Sequence, residues 1–377
     1  MNDRERWNRV FHFQSVDHVP DQEFGYWKDT LAIWHRQGLP RAINTNGLAD
    51  QYFGFARREN AGINVSLYPT FRPRILGWEG DEKLILDRSG ARCLVRKDGK
   101  STIPQFLEYP IKDRPSWERF KERLDPHTRG RYPSDWEARK AEWKNRDYPL
   151  IINAGSIFGW IRNWVGLENL AVMLYDDRKL VEDMMDHLVY LITTTITPAL
   201  KEVEFDGASM WEDMAFKAGP MISPKLFEEM LVPRYKQITK LLKQHGIDVV
   251  YLDCDGNINQ LVGLWLEGGV NCMFPLEIRG GSDPYPMRER YGKQVLLMGG
   301  VDKTQLIAGK AAIRAEINRL EKLVADGGYI PHVDHRVPPD VTLENYRYYL
   351  KVKREAFGIP EPEPAVIDEE LAKRRCV

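Results

Sequence analysis

The sequence predicts an α/β protein, a TIM-type (β/α)8 barrel with a β-hairpin insertion and an N-terminal helical extension. From about residue 148 onward, six short apolar runs alternate with helical stretches at intervals of roughly 25 to 45 residues. This rhythm is typical of parallel strands joined by crossover helices. Two earlier extended runs, HVPDQEFG and AGINVSLYP, would bring the strands to eight. A doubly wound open sheet is the alternative, but no GxGxxG motif follows the first strand.

The segments before this rhythm predict the two additions to the barrel. Residues 3–14 have the spacing of a short amphipathic helix, and the X-Pro step that follows favours extended chain. The runs LILDRSG and ARCLVRKDGKSTIPQF predict a hairpin with Ser-Gly and Asp-Gly turns. Residues 113–146 are very polar and predict exposed helices. We therefore expect an insertion at about residues 75–146.

The second half of the chain supplies the remaining elements in order. The predicted strands are YPLIINAGS, GASMWED, DVVYLDCDG, VNCMFPLE, QVLLMGGVD and GYIPHVDH. One helix carries strong boundary signals, since Ser223 precedes it, Pro224 opens it and Gly246 follows it. We expect a single barrel domain over residues 1–360, followed by a proline-rich tail with a short charged helix over residues 361–377.

The composition argues against several classes of protein. The 377 residues are 43% hydrophobic and 29% charged, as in ordinary globular enzymes. A formal charge of −1 gives no basic excess, so we expect no nucleic-acid partner. The charged N-terminus lacks a signal-peptide core and no run of about 18 apolar residues occurs, so we expect neither secretion nor a membrane span. Four scattered cysteines without a CxxC pair fit a reducing cytoplasm.

Polar side chains end five successive predicted strands, which is where chemistry lies in (β/α)8 barrels. They are Glu212, Asp213, Asp253, Asp255, Glu277, Asp302, His332, Asp334 and His335. Asp302 and Glu277 each have a structural alternative. Asp302 can cap the following helix, and Glu277 can form a salt bridge with Arg279 or Arg288.

The spacing of these residues brings some of them together. A period of two puts Asp253 and Asp255 on one face of their strand, so both carboxylates can reach one ligand. A turn stabilised by Asp255 is the alternative. His332 and Asp334 share a face by the same argument, and a carboxylate beside a histidine commonly fixes its tautomer. Capping or solvent-facing histidines are the alternative for that pair and for His335.

Aromatic residues and one arginine are expected around these strand ends. We expect a substrate to be bound by Tyr26, Trp27, Phe158, Trp160, Arg162, Trp211, Glu212, Asp213 and Glu277. Arg162 is the candidate for holding a substrate carboxylate. Core packing is the alternative for Phe158 and Trp160.

A site lined by acids and histidines supports two kinds of chemistry. Neutral imidazole with carboxylates is a ligand set for Zn²⁺ or another divalent metal. Without a metal, crowded carboxylates raise one another's pKa, and His335 can donate or accept a proton. The residues alone do not choose between these two.

Five stretches of the chain carry a family resemblance. They are RERWNRVFHFQSVDHVPD, GSIFGWIRNWVGLENLAVMLYDD, GPMISPKLFEEMLVPRYK, GGVDK and DGGYIPHVDHRVPPDVTLENYRYYLK. Together they resemble the uroporphyrinogen decarboxylase superfamily over nearly the whole length. The resemblance implies a (β/α)8 barrel, in agreement with the strand rhythm. That superfamily also holds methyltransferases that exchange methyl groups between a corrinoid and a thiol, a folate or an aryl methyl ether.

Departures from the family pattern refine what the resemblance implies. Tetrapyrrole decarboxylases carry an arginine-rich RQAGR segment where this chain has DQEFGYWKDTLAIWHRQG, which disfavours a porphyrinogen substrate. Their Gly-His-Gly histidine corresponds to His335. The zinc methyltransferases use a His-x-Cys pair and a later Cys, and the matching positions here hold Asp253, Asp255 and His335. The resemblance thus implies a divalent metal on these three residues, with zinc favoured. Such a donor set is harder than a thiolate set and suits an O- or N-methyl donor.

The implied activity is methyl transfer from a small aromatic or quaternary-ammonium donor to a corrinoid, an O-demethylation where the donor is a methoxy compound. We expect no cobalamin-binding module within this chain, so the corrinoid is expected on a separate partner protein. The expected catalytic residues are Asp253, Asp255 and His335, with His332 and Asp334 supporting the ligands or relaying a proton. The resemblance also implies a homodimer. A decarboxylase or lyase acting on an acidic substrate and a non-catalytic ligand-binding scaffold are the alternatives.

Overall fold

The computed structural model describes residues 1–96, 104–363 and 366–374. Its strands are β1 (Glu59–Asn60), β2 (Arg74–Glu79), β3 (Glu82–Leu86), β4 (Arg92–Arg96), β5 (Gln105–Glu108), β6 (Leu150–Asn153), β7 (Gly207–Trp211), β8 (Ala215–Phe216), β9 (Gly219–Pro220), β10 (Val250–Asp253), β11 (Cys272–Leu276), β12 (Leu296–Val301) and β13 (Tyr329–Val333). Seven of them form one parallel sheet in the order β1-β6-β7-β10-β11-β12-β13. The six strands predicted from residue 148 onward are therefore confirmed, and so is the α/β class.

Helices separate the successive sheet strands from β6 to β13, as parallel pairing requires. The α-helices of the described residues are α1 (Asp3–Phe11), α2 (Lys28–Arg36), α3 (Asn46–Tyr52), α4 (Arg114–Lys121), α5 (Trp136–Trp143), α6 (Phe158–Val165), α7 (Leu167–Asp176), α8 (Arg178–Glu202), α9 (Pro224–Met230), α10 (Val232–Gln244), α11 (Val262–Glu267), α12 (Pro284–Tyr291), α13 (Lys303–Ala308), α14 (Lys310–Asp326), α15 (Leu343–Phe357) and α16 (Glu369–Arg374), of which α6 to α14 lie between β6 and β13. The helix predicted to begin at Pro224 is divided into α9 and α10, because Pro233 stands in the first turn of α10.

The ring of strands is closed by the segment 21–27, which lies between β13 and β1. On one side, the backbone N–H of Ala56 donates to the carbonyl of Asp21 at 2.8 Å. On the other side, Tyr26 forms an isolated parallel bridge with Val337. The first predicted strand thus occupies its place in the barrel as an irregular segment with one bridge.

The predicted hairpin is part of a larger insertion, an antiparallel sheet in the order β2-β3-β4-β5. The Ser-Gly turn lies between β3 and β4, where the Asp87 carboxylate accepts from the backbone N–H of Ser89 at 2.8 Å and of Ala91 at 2.9 Å. The predicted Asp-Gly turn at residues 98–99 lies outside the described residues. Helices α4 and α5 follow the sheet, as the polar stretch predicts.

The C-terminal helix α16 packs on α3. The Gln51 side chain accepts from the backbone N–H of Asp368 at 2.7 Å and donates to the carbonyl of the same residue at 2.8 Å. A Cβ on Gly47 would lie 2.1 Å from the carbonyl oxygen of Ala372, so this close approach requires glycine. Within the described ranges, no helix combines the length and apolar content that crossing a membrane needs.

A buried group of charges fixes the closing segment to α15. The side chain of Lys353 is fully buried, and its ammonium lies 2.8 Å from Asp21 Oδ1. The same ammonium donates to the carbonyl of Gln22 at 3.0 Å. Arg354 Nε donates to the second oxygen of Asp21 at 2.9 Å. Because buried charges are costly unless they are paired, these contacts specify where the segment lies.

We expect Lys353→Met to lower the free energy of unfolding by about 3 kcal/mol, because it leaves a buried carboxylate oxygen and a carbonyl without their cation. This is the low end of the usual cost, since Arg354 remains on the other oxygen. Urea denaturation measures the change. Lys351→Met is the matched control, since Lys351 is exposed on the same helix, and it should change stability by less than about 0.5 kcal/mol. Equal effects of both substitutions would contradict a role of the buried charges in closing the ring.

Candidate functional site

Two overlapping sets of ligand-type side chains lie at or just beyond the carboxyl ends of β7, β10, β11 and β13. In one set, oxygen or nitrogen atoms of Asp255, Glu277 and His335 all lie within 4.8 Å of one another. In the other set, carboxylate oxygens of Asp213, Asp253 and Asp255 do the same. His335 Nε2 is 3.3 Å from Asp255 Oδ2. The structure thus brings Asp253, Asp255 and His335 to the same end of the barrel, the edge formed by the carboxyl ends of the strands, which we call the rim. Asp255 belongs to both sets, whereas His335 belongs only to the first and Asp253 only to the second.

The backbone after each strand aims these side chains. Asp213 has φ of 42°, a left-handed conformation that is strained for a residue with a side chain, and its carboxylate accepts from the backbone N–H of Asp255 at 3.3 Å. Gly256 has φ of +83°, and a Cβ there would lie 2.8 Å from the carbonyl oxygen of Ala215. Its N–H donates to Glu277 Oε2 at 3.0 Å. Local turns therefore direct three carboxylates toward one point.

Burial and mutual repulsion favour the protonated forms of two of these carboxyl groups. Loss of water contact and the nearby charge of Asp255 raise the pKa of Asp213 to about 6. Burial, together with Asp213 and Asp255, raises the pKa of Asp253 well above its ordinary value. Both directions are expected where carboxylates crowd together with little access to solvent. The rim can therefore hold a proton or a cation near neutral pH.

Aromatic rings form a wall beside His335. Trp27 stacks on the imidazole with ring centroids 5.5 Å apart, and Phe24 meets it edge-on at 5.3 Å. The Arg336 guanidinium lies 5.1 Å from the centre of the Phe24 ring and 6.0 Å from that of Trp27. Trp27 is 40% exposed, so this wall is accessible to a ligand.

Arg162 and Trp211 lie beside Asp213. The Arg162 guanidinium donates to the carbonyl of Asp213 and lies 5.4 Å from the centre of the Trp211 ring. Both residues are therefore next to the rim, where the sequence places them. Trp160 is partly buried and stacks on Trp164 at 6.1 Å.

Two residues predicted to bind substrate lie in the core instead, which corrects that prediction. Tyr26 is buried among aromatic side chains, and its hydroxyl is 2.9 Å from that of Tyr346. Phe158 is fully buried at the start of α6, so core packing, the alternative, describes it. Tyr26 is next in sequence to Trp27, which reaches the rim, and Phe158 lies one helical turn before Arg162, which also does.

Glu212 is the third correction, because its carboxylate is sequestered. It is fully buried and accepts from the backbone N–H groups of Phe158 at 2.9 Å and Gly159 at 2.7 Å. The backbone of Ile157 and the hydroxyls of Ser156 and Tyr235 donate to it as well. A negative charge at a helix N-terminus is stabilising, so Glu212 anchors α6 and is not available to a substrate.

His332 and Asp334 lie behind the rim. Burial lowers the pKa of His332 to about 3, so its imidazole is neutral, and its Nδ1 lies 2.8 Å from the carbonyl of Val333. Burial raises the pKa of Asp334 to about 6 against the opposing effect of Lys303, whose ammonium is 3.3 Å away. That ammonium is also 3.1 Å from Glu277, so Asp334 is connected to the rim through a cation. This contact through Lys303 supports the prediction that Asp334 supports the ligand residues. His332 belongs to neither ligand set.

Sequence reasoning missed the cations Arg336 and Lys303. Arg336 directly follows HVDH and Lys303 directly follows GGVD. The sequence does not indicate which carboxylate a basic residue at a strand end will contact. Glu277 pairs with Lys303, and neither Arg279 nor Arg288 is its partner, since they face other acids. Asp302 accepts from the backbone N–H of Thr304 at 2.8 Å and caps α13, the alternative given for it.

The parallel sheet and the acids at its carboxyl end place this chain among the α/β barrel proteins, whose sites lie on the loops that follow the strands. A family model described as Uroporphyrinogen decarboxylase (URO-D) matches residues 95–356. The chain therefore belongs to this family. The predicted family resemblance is confirmed.

Similar proteins include bacterial decarboxylases. The uroporphyrinogen decarboxylase of Pseudomonas aeruginosa strain UCBPP-PA14 is 27% identical over 174 residues, which are 45% of this chain and 46% of that protein. The uroporphyrinogen decarboxylase of Pseudomonas fluorescens strain SBW25 is 25% identical over 242 residues, 61% of this chain and 65% of that protein. The chain thus spans about half to just under two thirds of the length of these relatives.

A solved structure shares the fold over almost the whole chain. A methyltransferase from Methanosarcina mazei superposes with a TM-score of 0.63 at 16% identity and covers 94% of this chain and 99% of that one. At this identity the superposition shows a shared fold, and it confirms the predicted α/β barrel architecture.

We expect Asp213→Asn to stabilise the metal-free protein at pH 7.5 and to leave it unchanged below about pH 4. The folded-state pKa of about 6 lies above the ordinary 3.8, so the folded wild type loses stability as the pH rises between these values, and the amide does not. The gain at pH 7.5 should be about 2 kcal/mol after allowance for partial exposure. Urea denaturation with a chelator at both pH values measures it. The exposed Asp147→Asn, on the loop before β6, is the control and should change stability by less than about 0.5 kcal/mol at either pH. A loss of stability in Asp213→Asn at pH 7.5 would contradict the raised pKa.

Proposed function

We propose that the protein is a metal-dependent methyltransferase that moves a methyl group from a small O- or N-methyl donor to a corrinoid on a partner protein. The observation that supports this most is the pair of ligand sets sharing Asp255 at the mouth of the barrel. Membership of the family and the fold shared with a methyltransferase support it as well. Zinc is the favoured metal, with other divalent cations as alternatives.

The residues present fit a divalent cation. One set offers two carboxylates and an imidazole, which are the nitrogen and oxygen donors that Zn²⁺ accepts. Asp255 Oδ1 is buried and has no hydrogen-bond partner among the described residues, as expected of an oxygen that awaits a ligand. Of the two sets, the one with His335 is the better zinc site, and Asp253 is then a neighbour of the metal rather than a ligand.

The remaining side chains of the rim have distinct parts in this proposal. A bound metal would act as a Lewis acid toward the ether oxygen of a methoxy donor, whereas the nitrogen of a quaternary ammonium donor has no lone pair for it. Trp27 and Phe24 hold the apolar or cationic body of the donor against His335. Asp213, whose pKa is raised to about 6, holds a proton that can pass to the departing atom. The one DxHxxG match in the sequence, DPHTRG at residues 125–130, lies on the loop between α4 and α5 and does not follow a strand of the parallel sheet. In this proposal the methyl acceptor therefore comes on another chain.

Decarboxylation of an acidic substrate is the second candidate. The matched Pseudomonas relatives are decarboxylases, and Arg162 and Arg336 stand at the rim where a substrate carboxylate could be held. In that case the protonated carboxyl of Asp213 would protonate the carbon that loses CO₂. The acidic and aromatic DQEFGYWKDT stretch, which supplies Phe24 and Trp27, favours methyl transfer over this reading.

We expect purified protein to contain about one equivalent of divalent metal, measured by elemental analysis. Asp255→Ala should lower metal affinity by more than the roughly 10- to 100-fold that loss of a supporting residue costs, because it removes a donor common to both sets. Asp248→Ala is the matched control, since Asp248 is an exposed carboxylate just before the same strand at the opposite end of the barrel, and it should bind metal like wild type. Metal-free protein, or equal affinity of both variants, would exclude the metal site.

We further expect the metal-loaded protein to convert Co(I) cobalamin to methylcobalamin in the presence of a suitable donor, followed by absorbance. A panel of methoxyaromatics and betaines covers the proposed donor class, and Asp255→Ala should abolish the signal while Asp248→Ala keeps it. Release of CO₂ from a carboxylated substrate without methylcobalamin formation would favour the decarboxylase. Metal binding with no turnover across the panel would favour a ligand-binding scaffold.

A further inference from the structure

The inside of the barrel is partly open below the rim. Along β10, Leu252 is buried, whereas Tyr251 and Asp253 on the opposite face are partly exposed. The same alternation occurs along β7, where Ser209 and Trp211 are the partly exposed residues. Because Asp253 and Trp211 lie at the rim, the side chains two residues earlier on each strand point into the barrel below it. The inside of a (β/α)8 barrel is ordinarily filled by packed side chains, so partly exposed positions there indicate room for a ligand.

Buried side chains form a floor under this space. Gly207 lies two residues before Ser209 on the same face of β7. A Cβ on Gly207 would lie 2.7 Å from the Trp7 ring and 3.3 Å from the Ile151 side chain. Both of these side chains are buried, and Trp7 belongs to α1. The barrel is therefore packed at the level of Gly207 and opens at the level of Ser209.

Two hydrogen-bonding side chains lie side by side at the level of Ser209. Asn153 of β6 is the register partner of Ser209, so both side chains lie on the same face of strands about 4.8 Å apart. Asn153 is partly exposed, and its Oδ1 accepts from the backbone N–H of Gly155 at 2.8 Å, which leaves its NH2 group as a donor. Neither that NH2 group nor the Ser209 hydroxyl has a hydrogen-bond partner within the described part of the chain.

We propose that Asn153 and Ser209 bind an uncharged oxygen acceptor, such as a carbonyl, on the side of an aromatic donor remote from its methoxy group. This inference rests on the proposed methyl transfer and narrows its donor class to methoxyaromatics. The pair lies two residues, about 6.6 Å, below Trp211 and Asp253 along the strands. A benzene ring with its acceptor para to the methoxy group spans such a distance, whereas the single methylene of a betaine does not.

The charges around the pair favour an uncharged acceptor over a carboxylate. The amide and the hydroxyl are both uncharged, and two such donors do not compensate a carboxylate for its lost hydration. The acids of the rim also repel an anion that enters past them. Arg58 lines a small cavity at the floor with Trp7 and Tyr251. Its guanidinium is already engaged, since it donates to Gln22 Oε1 at 2.8 Å and to the carbonyl of Glu23 at 2.7 Å.

Isothermal titration calorimetry of the protein as purified tests this with two ligands of the same shape. 4-Methoxyacetophenone has a carbonyl para to its methoxy group, and 4-ethylanisole lacks that oxygen. Ser209→Ala should weaken binding of the ketone about fivefold or more. Asn153→Asp at pH 8 should weaken it at least about tenfold, because it keeps the oxygen bound to Gly155 and replaces the donor with a charge. Affinity for 4-ethylanisole should change less than about twofold in both variants.

The wild type should bind 2-methoxyacetophenone and 4-methoxybenzoate at least about tenfold more weakly than 4-methoxyacetophenone, since the first has the wrong spacing and the second is charged. Ser15→Ala and Asn318→Asp are matched controls at exposed positions and should bind both ligands of the main pair like wild type. Ser209→Ala should keep the circular dichroism spectrum of wild type, because its hydroxyl has no partner in the described chain.

Three results overturn the proposal: no binding of the ketone by wild type, equal losses for the ketone and 4-ethylanisole, or wild-type affinity for the ketone in both variants. Binding that depends on the carbonyl but yields no methylcobalamin would support this binding site and count against the methyl transfer. Methyl transfer from methoxyaromatics without any dependence on Asn153 and Ser209 would overturn the site and leave the proposed reaction in place.

Discussion

The electrostatic repulsion among four neighbouring carboxylates determines the protonation states and the ligand preference of the site. Asp213, Asp253, Asp255 and Glu277 lie at the carboxyl end of the sheet, in two overlapping sets whose ligand atoms are within 4.8 Å. At such distances and with little solvent, holding all of them ionised is costly. The raised pKa values of Asp213 and Asp253 express that cost. A barrel that had only to fold would gain stability by losing these acids, so their presence points to a bound proton or cation.

The cations of the protein stand around these acids without filling the space between them. Lys303 bridges Glu277 and Asp334 from behind the rim. Arg336 is held against the aromatic wall, and Arg162 donates to a backbone carbonyl and not to a carboxylate. Asp255, the acid common to both sets, keeps one buried oxygen without a hydrogen-bond partner in the described chain. The negative charge that these cations leave uncompensated is therefore greatest at Asp255, where the two ligand sets overlap.

Much of the architecture could be predicted because buried parallel strands appear as short apolar runs between helices. The convergence of Asp253 and Asp255 followed from a period of two and from the rule that sites lie at strand ends. Glu212 could not be placed in this way. The sequence around a glutamate does not show whether its carboxylate is buried against a helix or faces solvent. For Glu212 this depends on backbone amides at the start of α6, more than 50 residues earlier in the chain.

The closing segment of the barrel shows why other residues also escaped prediction. It pairs through a single bridge, so it has no strand periodicity that would separate the buried Tyr26 from the exposed Trp27. The two neighbours belong to different environments because one packs on α15 and the other covers His335. Arg336 was missed for a related reason, since its position depends on aromatic rings that come from the opposite end of the sequence.

The closing segment also connects the aromatic wall to the strand that carries His335. The buried carboxylate of Glu23 accepts from the backbone N–H of Phe24 at 3.0 Å and of Val333 at 3.1 Å, so it joins the aromatic wall to the strand that leads to His335. Phe24 in turn touches the imidazole that lies against Asp255. Burial raises the pKa of Glu23 to about 7, so its charge, and with it the strength of both contacts, changes near neutral pH. The wall comes from residues 24–27 and the carboxylates from residues 213–277, so the closed ring is what holds these distant parts of the chain side by side.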